Sequence, residues 1–297
     1  MHKLAIVLII AFVLAGCGRK SSRTDFGEIS DSLLSESMAI SQQAMAEIID
    51  NLSSPVEIAA LLKKVGAPFS QGSLANPNDL SRITTENQQA LHLGIYGADL
   101  GYLNIYNKRT SVVDYLTAIK NLSEDLRIGQ FFDFVTLKRL ATNDKNLDSL
   151  IFISVHSFNQ MDDYLRTNKR GNLSALIITG TWIEGLYLAT TMYNQKPHPD
   201  LAERIGEQKI VLADLLLVLK NYKRDPYFNS LIELMEPIKK LFDQVTITYE
   251  LGEPEMVEEN GMLVIKQNEK SHVEIKPDVL PKILDETKKL RNNLLSL

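Results

Sequence analysis

The sequence predicts a mainly α protein, an irregular multi-helix bundle with a small β-hairpin near its C-terminus. Between residues 28 and 243, apolar residues recur at the three- and four-residue spacing of amphipathic helices. Only after Val245 do apolar and polar residues alternate, which is the spacing of a strand. Because 44% of the residues are apolar, the chain can bury a sizeable core.

One segment, Gly171–Gln195, is the predicted centre of the bundle, and Glu184 is its only charged residue. A helix that is apolar on all sides has no face for water, so it is either a core helix or a membrane span. Its length would suffice for a bilayer, but a carboxylate in mid-span costs about 3 kcal/mol on insertion scales. We therefore predict the central core helix, with a membrane span as the alternative.

Six helices are predicted before this central helix. Pro55 suits the first turn of the second, Thr110 is the predicted cap of the fourth, and Gly129 and Gly171 are the predicted stops of the fourth and sixth. The predicted ranges are 28–51, 54–66, 85–107, 110–128, 130–141 and 146–167.

Glycines make one side of the third predicted helix nearly bare, at Gly94, Gly97 and Gly101. A glycine inside a helix costs roughly 1 kcal/mol relative to alanine. That cost is reasonable where a second helix packs closely, so we predict a close helix–helix contact here.

After the central helix, two amphipathic helices are predicted at 200–222 and 227–243. A β-hairpin follows over 245–275, with strands at 245–250, 262–266 and, as a short third strand, 272–275. The acidic stretch 252–260 is predicted to be a loop, either a solvated one or a contact surface for a basic partner. The last helix is predicted over 277–295.

Two pairs of segments look alike and raise the hypothesis of an internal duplication. Asp31-Ser32-Leu33-Leu34, at the start of the first helix, resembles Asp148-Ser149-Leu150-Ile151, at the start of the sixth. Asp99-Leu100-Gly101-Tyr102-Leu103 resembles Glu184-Gly185-Leu186-Tyr187-Leu188, and both helices end in Tyr-Asn. The predicted halves would be 28–142 and 146–243. The alternative is chance, because helices reuse a small set of residue types.

The N-terminus carries the strongest functional signal. A short polar start is followed by an unbroken apolar run to Val13, and then by Leu14-Ala15-Gly16-Cys17. This pattern resembles the signal peptide and lipobox of bacterial lipoproteins. The alternative is an ordinary secretory signal with an incidental cysteine. The apolar run is too short to span a bilayer.

The resemblance implies that residues 1–16 are removed as a signal peptide and that Cys17 receives a diacylglyceryl group and palmitate-like acyl chains. Residues 17–27 would then tether a single helical domain, 28–297, to a membrane outside the cytoplasm. Gly18 favours the outer membrane, facing the periplasm or the surface. The stretches 97–102 and 182–188 resemble helical lipoproteins of Bacteroidota-like bacteria, a likeness that implies no particular function.

Composition excludes several classes of protein. Removing the signal takes away one lysine and no acid, so the formal charge goes from −5 to −6 and leaves no basic excess for nucleic acid. A single cysteine excludes an intrachain disulfide and a multi-cysteine metal centre. The histidines show no helical zinc spacing, and His156 is predicted to lie in the core or a groove. The sequence therefore predicts no metal and no cofactor.

Two groups of side chains are candidates for ligand binding. The first is Glu184 with Tyr187 and Trp182, where the alternative is a carboxylate satisfied by an Arg, a Lys or a hydroxyl of a neighbouring helix. The second is Asp99 with Tyr102 and His92, where the alternative is a half-exposed surface. We expect Tyr187, one turn from Glu184, to be able to donate a hydrogen bond to it.

The functional prediction is a lipid-anchored, non-enzymatic envelope protein that binds a partner protein or helps an assembly. An alternative is a small-ligand receptor with a cavity beside Glu184, which a densely packed and paired Glu184 would count against. A less favoured alternative is an unrecognised hydrolase, which would need a nucleophile and a base within hydrogen-bond reach in a cleft.

Overall fold

The computed structural model describes residues 61–141, 147–252, 255–259, 262–266 and 269–296. The predicted signal peptide, Cys17, the tether, the first helix and most of the second lie outside the described residues. The predicted fold class is confirmed, since helices dominate the described chain and a small antiparallel β-structure stands near the C-terminus.

The helices and strands follow one another in the predicted order. The helices before the strands are α1 (Glu86–Ile105), α2 (Arg109–Asp125), α3 (Phe134–Ala141), α4 (Leu147–Thr167), α5 (Gly171–Gln195), α6 (Pro199–Lys220) and α7 (Pro226–Phe242). The strands are β1 (Thr246–Leu251), β2 (Glu255–Glu259), β3 (Met262–Lys266) and β4 (Glu269–Glu274), and α8 is Val279–Ser296.

The helix α5 lies at the centre of the bundle. It packs against α1, α4, α6 and α8, and 94% of its most apolar 18-residue window is buried inside the protein. Among the described residues it is the one helix long and apolar enough to cross a membrane. Its apolar surface is therefore covered by other helices of this chain.

The helices α1 and α5 cross closely at two glycines. A Cβ atom added at Gly94 would lie 2.8 Å from Thr181 N and still closer to the Ile177 carbonyl oxygen. The same atom at Gly180 would lie 3.2 Å from Ile95 N and still closer to the Leu91 carbonyl oxygen. Each helix therefore uses its glycine to admit the backbone of the other.

The two helices run parallel, because contacting residue numbers rise together along both. Gly94 meets the backbone at Ile177, and further along α1 the Tyr102 hydroxyl lies 3.7 Å from the Met192 sulfur. Gly97, by contrast, has open space where its Cβ would be. The predicted close contact is thus made at Gly94 and not at Gly97.

Three of the described helices end where a residue other than glycine adopts the left-handed conformation. The positive φ angles are 55° at Asn107, 56° at Arg127 and 59° at Lys169. At each end the next N–H bonds the carbonyl five residues back, as in Arg170 N to Leu165 O at 2.7 Å. Gly129 and Gly171 are therefore not the stops that the sequence predicts.

Two details of the helix prediction are wrong for local reasons. Thr110 does not cap α2, which begins one residue earlier, at Arg109, with Lys108 as its N-cap. The predicted helix 130–141 is two elements, a 3₁₀ turn at Gly129–Phe131 and α3. Asp133 starts α3 because its Oδ1 accepts a hydrogen bond from Thr136 N at 3.0 Å.

The four strands form two nested antiparallel pairs, which we call the arm. The inner pair joins β1 to β4, and the outer pair joins β2 to β3 with Glu255 opposite Lys266 and Glu259 opposite Met262. The prediction of a loop over 252–260 is wrong for residues 255–259, which are a strand. The dipeptide Asn260-Gly261, a sequence signal for a two-residue hairpin turn, lies between the strands of the outer pair.

The two pairs of the arm have different surroundings. The inner pair rests on α6, where Ser271 Oγ donates to Glu207 Oε1 at 3.0 Å and a Cβ on Gly206 would overlap Val273. The main contacts of the outer pair are between its own two strands. Met256 on β2 is 71% exposed, and Tyr249 on β1 is 53% exposed.

Candidate functional site

The single carboxylate of the central helix pairs with an arginine from the last helix. Arg291 Nε and Nη2 donate to the two carboxylate oxygens of Glu184, each at 2.9 Å. Glu184 is 0% exposed and Arg291 is 6% exposed. A bidentate pair of this kind is among the strongest side-chain contacts, and it satisfies both oxygens of Glu184.

Asp99 of α1 lies beside this pair and is also 0% exposed. The alternative of a half-exposed surface is therefore wrong for this residue. Asp99 Oδ2 accepts a hydrogen bond from Ala75 N at 3.0 Å, whereas Oδ1 receives none from any described donor. The carboxyl groups of Asp99 and Glu184 are within hydrogen-bonding reach of each other. We call Asp99, Glu184 and Arg291 the charge cluster.

The charge cluster holds two acids and one base out of contact with water. If all three were ionised, the protein would bury one uncompensated negative charge, which is strongly unfavourable. Burial raises the pKa of Asp99 well above its usual range, and the negative charge of Glu184 raises it further. Burial also raises the pKa of Glu184, but the Arg291 guanidinium opposes that effect.

A surface segment, residues 67–76, covers the charge cluster, and we call it the strap. Its outer residues Gln71 and Gly72 are exposed, while Ser73 and Ala75 are buried against the cluster. Side chains of α1, α2 and α8 hold its backbone. These hydrogen bonds are Tyr106 Oη to Ala67 O (2.9 Å), Ser70 N to Tyr102 Oη (3.1 Å), Arg291 Nη2 to Ser73 O (3.2 Å), Ala75 N to Asp99 Oδ2 (3.0 Å), Tyr115 Oη to Ala75 O, and Tyr96 Oη to Asn76 O (3.0 Å).

The structure brings some of the predicted site residues together and separates others. Tyr187 joins the cluster through its ring, whose centre lies 4.5 Å from Arg291 Cζ, a cation–π contact in place of the expected hydrogen bond to Glu184. Tyr102 holds the strap. Trp182 does not join the cluster: its Nε1 donates to Gln208 Oε1 of α6 at 3.1 Å.

His92 is in a separate place. It lines a cavity of about 110 Å³ together with Asp79, Arg82 and Tyr96, and its Nδ1 lies 2.9 Å from Gln88 O. Burial lowers the pKa of His92, because the imidazolium form loses its hydration there. His156 is exposed, so the prediction of a core or groove position is wrong for it.

Arg291 is the residue that sequence reasoning missed. It stands on the buried face of α8 with Ile283, Thr287 and Leu294, at helical spacing. An arginine on the apolar face of an amphipathic helix needs an acidic partner, and Glu184 is the one acid in the most apolar helix. That combination is the signal that could have predicted the pair.

Chemically, the charge cluster can hold a proton but is closed to a ligand. Its groups are bonded to one another and to the strap, and the cluster lies beneath the protein surface. Within the described ranges, no group of three or more His, Cys, Asp or Glu residues is placed to hold a metal ion. Glu184 is densely packed and paired with Arg291. This arrangement counts against the alternative of a receptor with a cavity beside Glu184.

Comparisons with known proteins give no relative for this chain. No protein-family profile matches it, and neither a curated protein nor a solved structure matches it significantly.

Proposed function

We propose that this chain is a lipid-anchored protein of the cell envelope with a non-enzymatic role, binding a partner protein or supporting an assembly. The single observation that carries the partner-binding role is the arm. Its outer pair has its main contacts within itself, and its Met256 side chain is mostly in water. Contiguous apolar patches, rather than single exposed residues, mark contact surfaces, and we propose that Met256 and Tyr249 contribute to such a patch on the arm.

In the helical body, the contacts of the candidate catalytic or ligand-binding residues support a structural role for them. Glu184 and Asp99, the sharpest candidates for chemistry, are engaged with Arg291 and with the strap. A catalytic or receptor carboxylate needs access to its substrate, and these two groups are under the surface. We therefore assign partner contacts to the outside of the molecule.

The anchor is tested with the full chain and a Cys17→Ser variant in a bacterial host. We expect an alkyne-labelled fatty acid to be incorporated into the parent chain and not into the variant, and only the parent to sediment with membranes. Two or more acyl chains hold a protein firmly on a bilayer, whereas one gives a marginal hold. Equal membrane binding of both chains would contradict the anchor.

The partner role is tested with a photo-crosslinking amino acid at Met256 in the lipidated chain. Lys288, an exposed position on α8, carries the same group as a matched control. We expect a discrete crosslinked species from position 256 that is absent from position 288. With the crosslinker at position 257 instead, the species should form in the otherwise unchanged chain and disappear in a Met256→Ser, Tyr249→Ser background. Identical crosslinking patterns at positions 256 and 288 would count against the arm as the contact surface.

A further inference from the structure

We propose that the Asp99–Glu184 pair holds one proton in the folded protein, and that this proton keeps the strap closed over the charge cluster. Loss of the proton would release the strap while the helices stay in place. The strap is thus a pH-operated closure built into the fold.

The proton is required by the geometry of the two carboxyl groups. Glu184 already receives two hydrogen bonds from Arg291, so its negative charge is compensated. Asp99 has only the N–H of Ala75 as a donor, and its other oxygen has none. Two carboxylates repel each other, whereas a carboxylic acid donates a hydrogen bond to a carboxylate. A proton on Asp99 therefore supplies the missing bond and brings the net charge of the cluster to zero.

Among the described residues, no other acid–base pair faces Asp99 that could take over this role. Tyr96 and Tyr102 lie on the same helix, Tyr115 faces it from α2, Glu184 from α5 and Arg291 from α8. Burial raises the pKa values of the three tyrosines, so they stay neutral across the physiological range. The strap itself contributes backbone N–H and C=O groups to the cluster.

The strap is the part that would move when Asp99 ionises. The α1 and α5 backbones touch at Gly94 and Gly180, one helical turn before the two acids, so the helices that carry Asp99 and Glu184 cannot separate. The strap, in contrast, meets the cluster through hydrogen bonds between its backbone and side chains, and it packs on the body through Phe69, whose ring centre lies 5.5 Å from that of Tyr102. Lifting the strap admits water, and this movement solvates the two neighbouring negative charges at a lower free-energy cost than separating the helices.

The test is amide hydrogen exchange of the full chain, measured between pH 5 and pH 9 and corrected for the intrinsic rate at each pH. The strap amides of Ser70 and Ala75 are compared with amides of α5. Asp99→Asn is the matched variant, because an asparagine can accept from Ala75 N and donate to Glu184 at every pH. Asp114→Asn, an exposed acid on α2, is the control for a change in net charge.

In the parent protein we expect strap protection to fall about tenfold per pH unit between the pKa of Asp99 in the opened strap and its raised pKa in the closed protein, because opening releases one proton in that range. Protection in α5 should stay constant. In Asp99→Asn the strap should remain protected throughout, and Asp114→Asn should behave like the parent.

Three results would overturn the proposal. They are strap protection that does not change with pH in the parent, a fall that persists in Asp99→Asn, or a fall of equal size in α5. A second measurement does not depend on a variant: the ¹³C carboxyl shift of Asp99 in the parent chain. We expect it to report a neutral acid at pH 7, and an ionised Asp99 would equally contradict the proposal.

Discussion

The charge cluster and the arm differ in how far their side chains are exposed to water. In the cluster, every charge meets a partner from another element, and the partners lie beneath the surface. In the arm, Met256 and Tyr249 remain in water although both are apolar or aromatic. Groups that stabilise the fold are therefore enclosed, while the groups that we propose for partner contact are exposed on the arm. Changing either region should affect one property and leave the other intact.

The largest effect is expected from Arg291→Met. This change leaves Glu184 as a buried carboxylate without its base, which typically costs about 3–5 kcal/mol of the free energy of unfolding. Lys289→Met, on the exposed side of the same helix, should leave the urea midpoint nearly unchanged. Chemical denaturation followed by circular dichroism measures both. Equal midpoints for the two variants would mean that the buried pair contributes little.

A somewhat smaller effect is expected at the helix crossing. Gly94→Ala forces a methyl group against the Ile177 carbonyl and should lower the free energy of unfolding by about 3 kcal/mol. Gly97→Ala in the same helix meets open space and should raise that free energy by roughly 1 kcal/mol, because alanine favours the helix. The same denaturation experiment compares the two. Destabilisation by Gly97→Ala would contradict the assignment of the close contact to Gly94.

The pH dependence of stability sharpens the comparison further. The pKa of Asp99 is about 3.9 in the unfolded chain and is raised in the folded protein. At a pH between these two pKa values, the folded state holds a proton that the unfolded state has lost. Its contribution to stability is therefore complete below that window and is lost as the pH rises through it, by about 1.4 kcal/mol per pH unit.

Asp99→Asn should remove this slope, so the stability of the variant relative to the parent should increase as the pH rises. The difference between the two free energies of unfolding, measured at several pH values, isolates Asp99 from other titrating groups such as His92. A difference that does not vary with pH would show that Asp99 is ionised in the folded protein.

The smallest effect on stability is expected in the arm. Met256→Ser and Tyr249→Ser should leave the thermal and urea midpoints almost unchanged, because both side chains are already largely hydrated. The same variants should lose the crosslinked partner species of the lipidated chain. A large loss of stability would mean that these side chains pack against the body, and would contradict the division between the two regions.

The sequence was sufficient for the features that local composition determines. The even apolar character of α5 predicts a core helix, and the bare side of α1 predicts a close helix contact. Helix ends were less predictable, since Arg127 and Lys169 adopt a conformation for which glycine is the usual signal. The strand β2 was missed because glutamates occupy three of its five positions, although Met256 and Val257 pair with Ile265 and Val264.

The charge cluster was only partly predictable. Glu184 and Asp99 were both singled out, but their convergence depends on a parallel crossing of helices 85 residues apart in sequence, a distance over which periodicity carries no information. The hypothesis of an internal duplication stays a prediction: aligning Asp99 with Glu184 leaves Gly94 and Gly180 one position out of register. To predict the part played by Arg291, one would have had to know that α8 packs on α5.

The late position of Arg291 has a consequence for biosynthesis. Glu184 leaves the ribosome well before its counter-ion, which is encoded 107 residues downstream. Until α8 has been synthesised, α5, the most apolar helix, carries Glu184 without Arg291 beside it. During that time α5 cannot be fully enclosed. We expect a chain truncated before α8 to keep this surface open to chaperones and proteases.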